Sequence, residues 1–333
     1  MNDEQSNENE QAATVDASDR RAEELYAHSV AVPESDEPSK FAKKRAHAKQ
    51  VAYEKTPSRF KNASSFQVRF RTGVVYTAVS IVSVLINDVT TTLYLALVAG
   101  ICAGEFCYMM RVDAKLPNEM IGVIGAAAYP VGMYLWGMTG IALVTVALLL
   151  ALFIWYVYWM RARIPDVSVS FFGAAYTGML LSSLILLRQA LPEPWGGVLL
   201  LVLFCSVWFN DAMAYIVGSK IGKHKLAPRT SPKKSWEGFI AGLITSAGFW
   251  CLLVLIPGIA ITVPQAMLYG VLCGGAGVIG DLAESRIKRN VGVKDSGTIM
   301  PGHGGLLDRC DSLFFASVAA VVLLFAGGCL PYV

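Results

Sequence analysis

Apolar stretches alternate with short polar segments along the chain from about residue 72 onwards. Nine such stretches occur, at residues 73–86, 93–110, 120–138, 141–158, 169–187, 198–217, 239–256, 263–279 and 313–330. Most of them approach the ~20 residues that a helix needs to cross the hydrocarbon core of a bilayer, although the first is short. The pattern therefore predicts an all-α, polytopic integral membrane protein with about nine transmembrane helices.

Composition and charge support this prediction and orient the chain. Hydrophobic residues make up 54% of the 333 residues and the mean hydropathy is +0.49, both above the usual values for soluble domains. Fifteen lysines and arginines fall in the loops on one side of the predicted bundle, and only Arg188 falls on the other. Because cations beside spans stay in the cytoplasm, we expect the N-terminus inside and Val333 outside. A chain of this length favours a bacterial inner membrane over an organelle.

The first 71 residues differ from the rest and are predicted to form a cytoplasmic tail, with the transmembrane domain at 72–333. Residues 1–37 contain eleven acidic side chains and few large apolar ones, a composition that is typical of disorder. Residues 39–71 are basic instead, with ten cations against Glu54. This second half either binds anionic lipid or simply sets the topology as a solvated linker.

Three polar constellations interrupt the apolar pattern, all at the predicted cytoplasmic side, and the first is Asp211. A carboxylate facing lipid would cost several kcal/mol, so Asp211 is expected to meet a partner or a wet cavity. A structural hydrogen bond to another helix is the alternative. The nearby Gly218 and Gly222 either allow close helix packing or belong to the same site.

The second constellation is the segment 220–238, KIGKHKLAPRTSPKKSWEG, which carries six cations. Thr230 and Ser231 add hydroxyl groups, and Pro232 fixes the backbone ahead of two consecutive lysines. Together these features predict a receptor for a polyphosphate. The alternative is a general excess of positive charge on the inner side, which explains cations but not their dense arrangement.

The third constellation joins the end of the eighth apolar stretch to the start of the ninth. Four polar residues share one helical face at i, i+3, i+4 and i+7, namely Asp281, Glu284, Ser285 and Lys288. Asp308 and Asp311, three residues apart, share another. Three aspartates brought together would repel one another unless a cation lay among them, and oxygen ligands near phosphates favour Mg²⁺. The glycines around His303 allow backbone N–H groups to approach phosphate oxygens.

Thirteen residues from 285 to 311 stand at the spacing S-x-x-K-R-x4-K-D-x-G-x3-P-x-H-G-G-x2-D-R-x-D. This pattern closely resembles that of the phosphatidate cytidylyltransferases, also called CDP-diacylglycerol synthases. The run SPKKSWEG at 231–238 and the segment 211–215 also look like those of that family. The resemblance extends from about residue 70 to the C-terminus and leaves the tail outside it.

The resemblance implies that CTP and phosphatidic acid react to give CDP-diacylglycerol and pyrophosphate. It implies Mg²⁺ as cofactor, with potassium as a second, monovalent ion. Its metal ligands would be Asp281, Asp308 and Asp311, with Asp211 as a weaker candidate. The expected partners are CTP, phosphatidic acid and membrane lipids but no nucleic acid, and a homodimer is left open.

The resemblance also assigns roles to the other motif residues. Lys294 and His303 join the three aspartates as catalytic residues, His303 as a substrate contact because the attacking phosphate needs no strong base. The residues expected to bind CTP or lipid phosphate are Ser231, Lys233, Lys234, Ser285, Lys288, Arg289, Gly304, Gly305 and Arg309.

Two other functions remain open at the level of the sequence. A CTP-dependent polyprenol or phytol kinase would also need a metal, a nucleotide and a membrane substrate. A transporter or channel would place its carboxylates near the bilayer midplane rather than at one side. Glu105, a further acid within the second apolar stretch, receives no role, and pairing with a cation or support of the fold are both open.

Overall fold

A computed structural model describes residues 65–111, 115–228, 230–300 and 304–331, with side chains from residue 70 onwards. Its helices are α1 (Ser65–Ile86), α2 (Asp88–Met110), α3 (Glu119–Tyr158), α4 (Ile164–Ala174), α5 (Leu180–Gln189), α6 (Trp195–Ile221), α7 (Trp236–Trp250), α8 (Val263–Asn290) and α9 (Leu307–Ala326). Every predicted apolar stretch lies largely on a helix. The predicted tail lies outside the described residues except for its last seven, which begin α1.

Seven helical segments of the described residues are long and apolar enough to cross a membrane, and Phe70–Ile86 is a shorter apolar helix. One of the seven, Ile164–Gln189, consists of α4 and α5 joined by a π-helical turn at Ala175–Met179. Another, Trp236–Leu255, extends α7 by a short 3₁₀ turn. The protein is therefore predominantly helical, with the character of a polytopic membrane protein.

The 40-residue helix α3 reverses its direction at Gly137, where φ is 57° and ψ is −139°. The hydroxyl oxygens of Tyr129 and Thr145 lie 3.0 Å apart, whereas sixteen residues of straight helix would separate them by ~24 Å. Gly132 and Gly140 face each other across the reversal with no room for a side chain. The helix is thus a hairpin, which explains why two predicted stretches share one element.

Aromatic residues join the helices in the core of the bundle. The ring of Tyr176, in the π-helical turn, packs edge-on against Phe314 of α9, with centroids 4.9 Å apart. Phe106 of α2 lies 6.2 Å from the same tyrosine. All three rings are buried, so this contact fixes α2, the α4–α5 span and α9 against one another.

A β-hairpin departs from the all-α prediction. Strands β1 (Lys225–Ala227) and β2 (Ser231–Ser235) pair antiparallel, with Lys225 opposite Ser235. The Trp236 N–H donates to the His224 carbonyl at 2.9 Å, which closes the base of the hairpin. The cationic segment between α6 and α7 is therefore an ordered projection rather than a simple turn.

Small residues seat this hairpin on the end of α6. Ser235 accepts a hydrogen bond from the Gly238 N–H at 3.2 Å and so caps the N-terminus of α7. Its side chain lies against Gly218 and Gly222, where any added Cβ would overlap it. The GxxxG pair thus serves close packing, and it brings the lysines of β2 beside the helix ends.

Candidate active site

Lys234 of β2 and Asp281 of α8 join the second and third polar constellations. The Lys234 Nζ lies 2.5 Å from the Asp281 Oδ2, and the Ser285 hydroxyl donates to the Asp281 Oδ1 at 3.1 Å. The Asp281 side chain is 26% exposed, so a ligand can reach it. The i, i+4 spacing predicted for Asp281 and Ser285 therefore produces a direct contact.

Two further carboxylates lie near this pair. Asp211 of α6 is exposed, although it stands ten residues before the end of its helix, and it lies within electrostatic range of Asp281 and Lys234. Asp311 of α9 is 7% exposed and neighbours both Asp211 and Asp281. We call the group Asp211, Asp281 and Asp311 the acidic recess. Three helices supply one carboxylate each.

The oxygen donors of the acidic recess suit a hard divalent cation such as Mg²⁺. In the described part of the chain, however, no three His, Cys, Asp or Glu side chains converge closely enough to hold a metal ion. Lys234 supplies the positive charge at Asp281 instead. The chemistry of the recess thus fits magnesium, while the metal roles of its aspartates stay predictions.

Asp308 differs from the aspartates of the recess because both of its carboxylate oxygens accept hydrogen bonds from protein groups. Its Oδ1 lies 2.7 Å from the Lys288 Nζ and its Oδ2 accepts the Gly305 N–H at 2.8 Å. The Ser296 N–H bridges both oxygens at 3.2 and 3.1 Å. Asp308 could bind a metal only by exchanging one of these contacts.

Lys288 is held between two carboxylates. Its ammonium group pairs with Glu284 one helical turn earlier as well as with Asp308, and its side chain is only 10% exposed. Glu284 is fully buried. We call Glu284, Lys288, Asp308 and Ser296 the brace. The prediction that Lys288 binds phosphate is not tested, but the lysine is already engaged.

The remaining predicted phosphate contacts differ in accessibility. Exposed cations are Lys233, Arg289, Lys294 and Arg309, and Ser231 is half-buried. Gly304 has φ +91°, a conformation that favours glycine, while the Gly305 N–H is committed to Asp308. His303 lies outside the described residues. These cations lie close to residues of the recess and the brace along the sequence. Their roles in binding ligand stay predictions.

Glu105 of α2 is the residue whose contacts the sequence did not reveal. Its side chain is 4% exposed, and its Oε2 accepts hydrogen bonds from the Leu307 N–H at 2.8 Å and the Ser296 hydroxyl at 3.3 Å. The acceptor and its donors are 202 and 191 residues apart. No spacing rule within one element could have indicated them.

Comparison with known proteins identifies relatives of this chain. The model of the cytidylyltransferase family matches residues 67–326. A phosphatidate cytidylyltransferase of Brucella melitensis biotype 1 is 43% identical over 159 residues, which are 47% of this chain and 55% of that protein. Proteins of the same name from Staphylococcus saprophyticus and Haemophilus influenzae are 43% identical over 125 residues and 44% over 126 residues.

These last two alignments cover 38% and 36% of this chain and 48% and 44% of the relatives. The chain thus spans about half the length of the curated relatives it matches. The family model, by contrast, covers α1 to α9 and contains the acidic recess and the brace. Because that match extends over well more than half of the chain, the protein belongs to the cytidylyltransferase family.

Proposed function

We propose that the protein transfers the cytidylyl group of CTP to phosphatidic acid, forming CDP-diacylglycerol and releasing pyrophosphate. The observation that carries this proposal is the acidic recess, in which carboxylates of three helices lie near one another and Asp281 pairs with a lysine of the cationic hairpin. Relatives named phosphatidate cytidylyltransferase support the choice of substrates. The family match does not favour a polyprenol or phytol kinase or a transporter.

The reaction is an in-line displacement at phosphorus. A phosphate oxygen of phosphatidic acid attacks the α-phosphorus of CTP, a new P–O bond forms, and the bond to the β-phosphate breaks as pyrophosphate leaves. The attacking oxygen is already anionic, so no strong base is needed. The main obstacle is repulsion between two polyanions, which positioned cations offset.

The hairpin, the end of α8, the loop before α9 and the start of α9 supply those cations in this proposal. Lys233 is exposed and Lys234 is partly exposed on β2, while Arg289, Lys294 and Arg309 are exposed around the other helix ends. We assign them to the phosphates of CTP and of the lipid, together with Ser231 and Ser285. Held in this way, the two substrates meet at effective concentrations that free diffusion does not reach.

We propose that Asp281 and Asp311 hold a magnesium ion, with Asp211 as the third oxygen donor. Bound there, the ion would supply charge stabilisation for the phosphates and the leaving pyrophosphate. Lys234 would then leave Asp281 and turn to a CTP phosphate, which exchanges one ion pair for another. Asp308 and a second, monovalent ion such as potassium remain further candidates for the same site.

We also propose the arrangement of the chain in the membrane. Nine passes result when the halves of α3, 119–136 and 138–158, each cross the bilayer once. The N-terminus and the recess then face the cytoplasm of a bacterial inner membrane, and the C-terminus faces outside. The excess of lysine and arginine on one side supports this orientation. A homodimer stays a prediction.

Two forms of radiolabelled CTP test the function in purified protein with phosphatidic acid and Mg²⁺. Label from the α-phosphate is expected in the lipid fraction, and label from the γ-phosphate is expected in pyrophosphate. Label from the γ-phosphate in the lipid would instead establish a kinase. If neither label enters lipid in well-folded protein, the proposed function is wrong. Enzyme without phosphatidic acid serves as the blank.

A further inference from the structure

Glu105 is a buried acid without a cationic partner among the ion pairs of the described residues. Its neighbours in α2, Cys102 and Phe106, belong to the apolar core. A buried carboxylate is costly unless hydrogen bonds or a partner stabilise it. Glu105 therefore requires a structural or functional reason, and its contacts indicate one.

The first contact is with the start of α9. The first N–H groups of a helix have no partner within the helix, and the residue that precedes α9, Leu306, offers no side-chain cap. The Oε2 of Glu105 accepts the Leu307 N–H at 2.8 Å and so takes the place of that cap. A negative charge at this position also interacts favourably with the helix dipole.

The second contact is with the segment before α9. The Ser296 hydroxyl donates to the same Glu105 oxygen at 3.3 Å, while the Ser296 N–H donates to Asp308. Ser296 is fully buried. One serine thus connects the carboxylate of α2 with the first turn of α9, which contains Asp308.

Two glycines of the 285–311 motif fit around the same carboxylate. A Cβ at Gly297 would overlap the Glu105 Oε1, and a Cβ at Gly305 would overlap its Oε2. Both glycines are buried. Their lack of a side chain is therefore explained by the space that Glu105 and Ser296 fill.

We propose that Glu105 is a positioning residue of the active site, which fixes Ser296, Gly297, Gly305 and the start of α9 and thereby sets where Asp308 and Asp311 stand. The proposal rests on the proposed function for its catalytic consequence. Its structural part stands on the contacts of Leu307, Ser296 and the two glycines. Glu105 itself touches no reacting atom in this account.

The test compares Glu105→Ala and Glu105→Gln with Met109→Ala, a control from the next turn of α2. Met109 is 2% exposed, so its truncation also leaves a cavity in the core. Each variant is purified in detergent, and kcat, KM for CTP, Tm and hydrogen exchange of residues 296–311 are measured. If Glu105→Ala does not fold, Glu105→Asp replaces it, because the aspartate side chain is shorter by one methylene group.

In Glu105→Ala we expect kcat to fall by at least about tenfold with KM changed by less than about threefold, because misplacement of ~1 Å can cost about 10²-fold. Exchange at Leu307 and its neighbours is expected to accelerate. Glu105→Gln should recover most of kcat, since its amide oxygen can still accept the Leu307 N–H. Met109→Ala should lower Tm but leave kcat and the exchange of this segment unchanged.

The proposal is overturned if Glu105→Ala exchanges at residues 296–311 like the wild type. It is also overturned if kcat falls equally in Met109→Ala and Glu105→Ala at equal Tm. The exchange measurement does not depend on activity. If the wild-type protein shows no cytidylyl transfer, the proposed function is wrong. The exchange measurement then still decides whether Glu105 positions the start of α9.

Discussion

The acidic recess and the brace contain the same kinds of residue in opposite states. In the recess, Asp211 is exposed, Asp281 is about one quarter exposed and Asp311 is 7% exposed, and Lys234 pairs with Asp281. In the brace, the side chains of Lys288 and Asp308 are 10% and 7% exposed and are engaged with protein groups. The partners of each side chain, rather than residue type or burial alone, separate the groups assigned to substrate and metal from those that hold the helix ends.

The contrast is sharpest within the D-R-x-D motif. Asp308 and Asp311 are three residues apart on one helix, yet Asp308 accepts hydrogen bonds from the preceding segment and Asp311 neighbours α6 and α8. A short motif can therefore combine a residue for support with a residue for ligand binding. Substitutions in the recess and in the brace should therefore affect activity and stability differently.

The largest effect is expected from Lys288→Met, which removes the cation of the brace. Glu284 and Asp308 would be left buried without their partner, at a cost of about 3–5 kcal/mol. Thermal unfolding in detergent measures the loss. The adjacent Arg289→Gln is the matched control, because Arg289 is exposed and a surface change is expected within about 0.5 kcal/mol. Equal stability of the two variants would contradict the claim that the ion pairs of Lys288 stabilise the fold.

A smaller effect is expected from Lys234→Gln in the recess. The variant loses the cation beside Asp281, so cytidylyl transfer should fall by about tenfold, or about 1.4 kcal/mol of barrier, with little change in Tm. Lys225→Gln, in the same hairpin and exposed, should retain wild-type activity. The initial rate at several CTP concentrations decides between them. Equal rates would remove Lys234 from the site.

The smallest effect is expected from Ser285→Ala. Its hydroxyl donates to the Asp281 Oδ1 at 3.1 Å, and a hydrogen bond of this kind contributes about 0.5–1.5 kcal/mol. Activity should therefore fall only a few-fold, at unchanged Tm. Ser219→Ala is the control, since that hydroxyl donates to the Ile216 carbonyl of its own helix. A complete loss of activity would show that the proposed contact of Ser285 with phosphate contributes more than its hydrogen bond to Asp281.

The helices were predictable from the sequence because the length of an apolar stretch can be compared directly with the thickness of a bilayer. Each predicted stretch lies largely on a helix, and the break between the third and fourth corresponds to the reversal at Gly137. The hairpin of β1 and β2 was not predicted, since its strands are short and rich in lysine. Charge patterning indicated its place but not its pairing.

The site was predictable in part for a similar reason. Residues at helical spacing, such as Asp281 and Ser285, meet as the sequence indicates. Glu105 and Ser296 are 191 residues apart, and only tertiary packing brings them together. The charge of Lys288 is visible in the sequence, but its burial between Glu284 and Asp308 is not, and its contact with phosphate stays a prediction.

The most direct test of the difference between the recess and the brace compares Asp281→Asn with Asp308→Asn, purified in the same way. Cytidylyl transfer at saturating Mg²⁺ and Tm are measured for both variants. Removal of an electrostatic group at a reaction site commonly costs about 10²–10³ in rate. We expect Asp281→Asn to lose activity on that scale with a Tm near that of the wild type. Asp308→Asn should lower Tm markedly. An Asp308→Asn protein as stable as the wild type but inactive would contradict the account, as would an active Asp281→Asn.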